Sequence, residues 1–578
     1  MSAAEIVMAV LPLLTIAYLM VARYWPATRA MPIAWGVAVA IGFAGWGMSS
    51  TWIAAATISG FITALNILFI VFGAVLLLYT LKQTSAFDAI NSGFASISED
   101  RRVQVVLLVF LMGSFIEGAA GFGTPAAVVG PLLVGLGFPP LAAVVVALTG
   151  NLMAITFGAV GTPLVIGLQD VFQESKTITA DLAGTGMTVT EWVGEIAVFA
   201  ATYHGIVGIA LPFIGVAMMT RFFGEERSIE PALDALPLCL FAWAAFTVPY
   251  WLTAYFLGPV FPGLLGSMVG LALTVGVLKL GYLHPDEEWD FGPRENWPEH
   301  WVGDIEPGES GTGTGISSGS DSGATVTADG GVAQQMGIWK AWTPYIGLAA
   351  LLVMTRTIGP LTSFLKTTLK FSWESILGTS LSGEFAFLYL PGAVFLAIHL
   401  VTIPLHGMFG DQVKDAWIET GKKVAPATVA LLFAVGTVQI MIQSGTATGG
   451  QSMLQVLSTA TADTAGGVYP FFAALVGAFG AFLAGSNTVS DILFGTFQYG
   501  VATELGISRT VLVAAQAVGG AIGNLIAVHN VVAALAVVGL VGEEGRVIRY
   551  ELIPLAYYAT FTGLLALLFS YVTFTGVF

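Results

Sequence analysis

Charge is what this chain has least of. Asp, Glu, Lys and Arg fill 10% of its 578 positions while apolar residues fill 56%, and the mean hydropathy is +0.84. A soluble domain carries about 25% charged residues, so this chain has too little polar surface to cover itself in water. That excludes a soluble enzyme and leaves an all-α polytopic membrane protein. Cysteine is almost missing: Cys239 alone rules out an internal disulfide and a cysteine metal cluster, and its apolar setting makes it a small core residue. No basic patch appears, so nothing points to nucleic acid. The chain also lacks a Gly-x-x-x-x-Gly-Lys-Ser/Thr loop, which argues against ATP-driven transport. Neither His-Glu-x-x-His nor Gly-x-Ser-x-Gly is present, which argues against a membrane-embedded hydrolase, the remote alternative. His399 and His406 lack a third ligand at helical spacing, so neither a metal site nor a cofactor is expected. The first apolar run, Ile6 to Tyr24, follows Glu5 rather than a basic stretch and reads as a spanning helix, not a cleaved leader.

What is present is apolar runs long enough to cross a ~30 Å hydrocarbon core. They run from 6–24 to 551–576 and give 12 to 14 predicted spans, two of them the long stretches 140–168 and 510–541. The net charge of −16 belongs mostly to one segment: between Tyr282 and Trp339 there are eleven Asp and Glu against Arg294 alone, a net of −10. Residues 308–331 there are rich in Gly, Ser and Thr and bury nothing, so 282–339 is expected to be an acidic, largely disordered loop. It divides the chain into a first membrane half, 1–281, and a second, 340–578.

Two polar interruptions recur, one per half. Glu117-Gly-Ala-Ala-Gly-Phe-Gly-Thr-Pro125 breaks one apolar stretch and Gly485-Ser-Asn-Thr-Val-Ser-Asp491 another, each followed some 35 residues on by Gly-Asn-Leu, at Gly150–Leu152 and Gly523–Leu525. A carrier built of two related halves has reason to repeat such a device. Short-loop Lys and Arg sharpen this. Arg101 and Arg102 mark the cytoplasmic side, whereas 169–195 holds one Lys against Asp170, Glu174, Asp181, Glu191 and Glu195 and reads as an external loop. An odd number of crossings must lie between them. The simplest solution has 103–135 dip in and return with its tip near 117–125, after which 140–168 crosses once. The second half repeats this with a tip near 485–491, giving two inverted-topology repeats, each with a re-entrant hairpin.

The tips carry the candidate chemistry. Glu117 lies deep in an apolar run, where an ionised carboxylate must be protonated, paired or set against a polar cavity; proton coupling is expected of it. Gly118, Gly121 and Gly123 allow a tight non-helical turn whose free amides, with Thr124, suit a carboxylate; helix packing through small residues is the alternative for glycine alone, but beside Glu117, Thr124 and Pro125 a broken helix is favoured. Ser486, Asn487 and Thr488 offer hydroxyls and an amide at the matching place. Asp491 serves either as a second protonatable group or as a helix cap. Asn151 and Asn524 are expected to line the site from the crossing segments, with His529 either handling protons or held in a structural hydrogen bond.

Glu117-Gly-Ala-Ala-Gly-Phe-Gly, Gly485-Ser-Asn-Thr-Val-Ser, Gly523-Asn-Leu-Ile-Ala-Val-His-Asn-Val-Val and Trp342-Thr-Pro-Tyr345 together resemble the lactate permease family across most of both halves. The resemblance implies a multi-pass protein of the cell membrane that takes up L-lactate, and often D-lactate and glycolate, by proton symport. It is also distantly similar to carriers whose Ser-Asn-Thr tips bind carboxylates and sodium. Asp491 departs from the Asn more usual at its position, which leaves the coupling ion, H+ or Na+, open. The partners implied are a lactate-like monocarboxylate, a coupling cation and the lipid bilayer; a homodimer is one assembly the sequence allows.

Overall fold

Several helix starts in this chain are capped by small polar residues. In the computed structural model, which describes residues 2–23, 25–84, 86, 89–90, 93, 97–121, 124–302, 336–540 and 542–578, Ser2, Ser49, Asp100, Thr188, Ser452, Ser486 and Ser508 each accept a backbone N–H at a helix start. Such caps satisfy amides that the first helical turn cannot. Among the described residues, eleven helices are long and apolar enough to cross a membrane, or twelve if the pair Ile338–Thr357 and Gly359–Thr367, bent by 89°, makes one span. The protein is a helical, multi-pass membrane protein.

The helices sort into two groups. Ser50–Gln83 and Gly410–Thr448, of 34 and 39 residues, run together and are flanked by Ala27–Ala44 and Pro391–His406. Gly60 lies so close to Gly436 that a Cβ on it would stand 2.9 Å from the Gly436 Cα; glycine sets that spacing. The second group holds both interrupted stretches. In the first half Arg101–Gln104, Val105–Met112 and Gly113–Ala120 form a continuous helix that ends at Gly121 with φ of 61°, and Thr124–Gly135 returns. In the second half Tyr469–Ala484 ends at Gly485 with φ of 63°, and Asn487–Leu505 returns. A left-handed residue at these two ends turns the chain without a Cβ penalty.

Three expectations change. The crossing at 140–168 is not one helix. Pro140–Gly150 stops at Asn151, and 156–161 is irregular, with positive φ at Gly158 (48°), Val160 (55°) and Gly161 (77°), before Thr162–Leu164 resumes. Its partner is broken too, into Arg509–Asn524 and Val528–Ala536. Gly-Asn at each break supplies the residues that leave a helix most easily. Second, 169–195 is not an open loop. Val165–Asp170 and Val171–Gln173 continue the broken crossing, and Lys176–Thr185 and Val189–Val207 follow. Third, the start of the acidic segment is ordered. Arg101 pairs with Asp290 at 2.8 Å, buried Arg102 is gripped by Asp100 at 2.6 Å and by the Glu287 carbonyl, and Phe291 and Trp301 are buried. Its aromatic side chains bring burial that its charge count hides; residues 303–335 lie outside the described residues.

Candidate functional site

Four breaks in four helices meet at one place. The gap between the helix pairs and the two broken crossings encloses a cavity of about 40 Å³, lined by Glu117, Asn151, Ser486, Asn487, Thr488 and Asn524, with Gly158, Thr162, Pro163 and Asn530 among its other walls. A buried space needs about 10–15 Å³ to hold one water, so this one suits a molecule of few atoms.

Each half contributes differently. From the first, Glu117 reaches the cavity from the last turns of Gly113–Ala120, 4% exposed, and its carboxylate accepts a hydrogen bond from Asn151 Nδ2 at 3.3 Å. No salt bridge neutralises Glu117 among the described residues. From the second, Gly485 turns the chain so that the N-terminus of Asn487–Leu505 faces the cavity, and Ser486 Oγ accepts the Val489 N–H at 3.5 Å. Asn487 Nδ2 donates to the carbonyl of Ala517 at 3.1 Å and lies 3.4 Å from that of Ile155, which leaves its Oδ1 buried without a hydrogen-bond partner. Asn530 Nδ2 donates to Asn524 Oδ1 at 2.7 Å. Among the described residues, no Lys or Arg lines the cavity. An anion there has only amides, hydroxyls and the positive end of one helix to hold it.

The remaining candidates stand apart. Gly118 does not line the cavity: a Cβ on it would lie 2.6 Å from the Leu264 amide nitrogen, so it serves the packing of Gly113–Ala120 on Pro262–Lys279. Gly121 abuts Ala159, whose side lines the cavity. Gly123 and the side chains of Thr124 and His529 lie outside the described residues. Asp491 is fully buried one helical turn behind Asn487, with Gln516 beside its carboxylate but no hydrogen bond of full geometry among the described residues. It is not the helix cap, since Ser486 fills that role. His399 Nδ1 meets Thr80 Oγ1 at 2.7 Å, and His406 Nδ1 meets Thr84 Oγ1 at 3.0 Å. Arg356 stacks 3.8 Å from the Tyr389 ring centroid and donates to that residue's carbonyl.

Two groups escaped the sequence reading. His204 is fully buried with both ring nitrogens engaged, Nε2 with Thr156 Oγ1 and Nδ1 with Tyr558 OH, each at 2.7 Å. It pins the irregular stretch at Thr156 to two other helices. Glu551, also fully buried, accepts hydrogen bonds from the Thr149 hydroxyl at 3.1 and 3.2 Å. Both are single polar residues inside apolar helices, with no motif partner to announce them.

The family described as L-lactate permease matches residues 5–573. The glycolate permease GlcA of Escherichia coli K12 is 28% identical over 540 residues, covering 90% of this chain and 87% of that one. An L-lactate permease of Bacillus subtilis 168 is 28% identical over 496 residues, covering 81% of this chain and 78% of its own. Among solved structures, Neisseria gonorrhoeae MtrF aligns over 90% of this chain and 84% of its own at a TM-score of 0.46 and 13% identity, too distant to carry an argument. A match from the first helix to the last, over a cavity built from the repeated motifs, places the chain in the L-lactate permease family.

Proposed function

We propose that this protein carries L-lactate and related small 2-hydroxymonocarboxylates, D-lactate and glycolate, into the cell by proton symport. The observation that carries the reading is the cavity itself, where a carboxyl bound by one amide and a helix N-terminus line the same small space. The names of the relatives supply the substrate class. The substrate carboxylate sits at the amides that open Asn487–Leu505 and at the Ser486 hydroxyl. Asn151 and Asn524 take its hydroxyl group, with donor and acceptor on each amide. Glu117 carries the proton, because a carboxyl in this setting is costly when ionised and cheap when neutral. A neutral Glu117 also removes repulsion between itself and the bound anion, so proton and substrate favour each other's binding.

The two halves form inverted repeats, and the group holding the interrupted helices moves against the pair Ser50–Gln83 and Gly410–Thr448. Holding the anion without Lys or Arg keeps affinity modest, which lets the substrate leave. A sodium-coupled version of the same scaffold is favoured by one observation, the buried carboxylate of Asp491 beside Asn487. Labelled L-lactate uptake into proteoliposomes, with a pH gradient and a Na+ gradient imposed separately, tests the reading. Uptake driven by the pH gradient alone is expected; uptake that needs Na+ moves the coupling site to Asp491, and no uptake or exchange overturns the substrate.

A further inference from the structure

Away from the cavity, two carboxyl groups sit where the moving and fixed helix groups meet. Asp170 and Glu174 lie one helical turn apart at the end of the broken first crossing, both half-buried. Thr63, on Ser50–Gln83, donates its hydroxyl to Glu174 Oε1 at 3.0 Å. Gln443, on Gly410–Thr448, donates to the Glu174 carbonyl at 3.2 Å. The other carboxylate oxygen, Oε2, is buried and has no hydrogen bond. Gln439 lies beside the same carboxylate. It is fully buried, and its amide meets no partner at full hydrogen-bond geometry among the described residues, with the Glu174 carboxylate its polar neighbour. A buried amide held this loosely is costly, and Glu174 and Asp170 form no ion pair among the described residues.

The charges around the pair do not relieve it. The strand hairpin brings Glu384, which is already bound by Lys370 at 2.6 Å. Lys176, two residues beyond Glu174, is exposed. The faces of Ser50–Gln83 and Gly410–Thr448 that meet Glu174 offer neutral hydroxyls and amides only. From Asn487–Leu505 the acid Asp491 packs on Gly167, three residues before Asp170. Two carboxyls one helical turn apart and half withdrawn from water disfavour each other's ionised form. Hard oxygen donors with excess negative charge are the chemistry that holds a proton or a small hard cation. The same helix begins at Thr162 and Pro163, which line the cavity.

We propose that Asp170 and Glu174, completed by Thr63 and Gln439, form a second cation site in which the two carboxyls share one monovalent cation: a proton in a proton symporter, Na+ if the carrier is sodium-coupled. The proposal rests on the cation-symport reading above. Because its ligands come from both helix groups, occupancy changes how the groups hold together, which ties cation binding to the movement that carries substrate.

The test compares full-length wild type with Glu174→Gln and Asp170→Asn in proteoliposomes, under a pH gradient and under a Na+ gradient, beside gradient-free exchange of labelled for unlabelled lactate. Expected is a fall of about tenfold or more in whichever gradient-driven uptake the wild type shows, within the usual range of coupling energies, with exchange kept within about twofold. Variants that match the wild type in driven uptake, or that lose exchange as fully as uptake, overturn the site. Infrared spectroscopy of the same proteins decides the matter even if the wild type moves no lactate, an outcome that would sink the transport reading alone. A protonated-carboxyl band, or a carboxylate band that shifts with Na+, is expected in the wild type and reduced in both variants; spectra identical in all three contradict the proposal.

Discussion

The two sides of the cavity are built from the same kind of break and do different work. On the first side Glu117 brings a carboxyl with one amide partner, and the crossing behind it is unwound through Gly158, Val160 and Gly161, all with positive φ. Val160 is a β-branched residue in that region, a conformation costing about 1–3 kcal/mol that persists only where the surroundings enforce it. On the second side the return helix starts neatly, capped by Ser486, and the described cavity-lining side chains are neutral. On the proposed proton-symport reading the repeated scaffold is divided: one side titrates and the other recognises. Duplication supplies the geometry twice, while Glu117, the acid among the described cavity residues, is the proposed proton carrier.

That division can be broken from either side. The largest effect is expected from Glu117→Gln, which should reduce pH-gradient-driven lactate uptake to the level of protein-free vesicles while leaving exchange measurable. Asn487→Ala comes next. It removes an amide that joins two segments, and the loss of such bonds costs about 1–3 kcal/mol, so the KM for exchange and for driven uptake should rise together. Gly520→Ala attacks the same amide indirectly, because a Cβ at Gly520 would collide with Asn487 Oδ1. Overpacking of this kind costs about 1–3 kcal/mol; a lower melting temperature and a raised KM are both expected. Ser486→Ala should weaken substrate binding about fivefold, since a lost cap is worth about 1 kcal/mol, read as a KM change without a change in coupling. Smallest is Asn530→Ala, which removes one hydrogen bond to Asn524 worth about 1 kcal/mol and should barely move the KM in equilibrium exchange.

Much of the site was legible because it is written twice. Gly-Asn-Leu recurs after each tip, and Asn151 and Asn524 both reach the cavity for that reason, as do Glu117 and Ser486–Thr488. What the duplication could not convey was local. The break in the first crossing hides inside an apolar run, although Gly158, Gly161 and Pro163 mark it in retrospect. Gly118 shows the reverse case: a glycine in a promising motif whose reason is close contact with Leu264. Asp170 and Glu174 were assigned to an external loop by charge counting, which measures composition and knows nothing of the helices 50–83 and 410–448 that close over them. His204 and Glu551 needed tertiary neighbours, Thr156, Tyr558 and Thr149, before either had meaning.

The most direct test measures Glu117→Gln and Asn487→Ala in parallel, each for pH-gradient-driven uptake and for lactate exchange in the same vesicles. A proton-sensing side opposite a recognising side predicts a crossed result: Glu117→Gln loses driven uptake and keeps exchange, while Asn487→Ala raises the KM of both processes equally. If the two substitutions impair both processes in the same proportion, the division between the two sides is wrong.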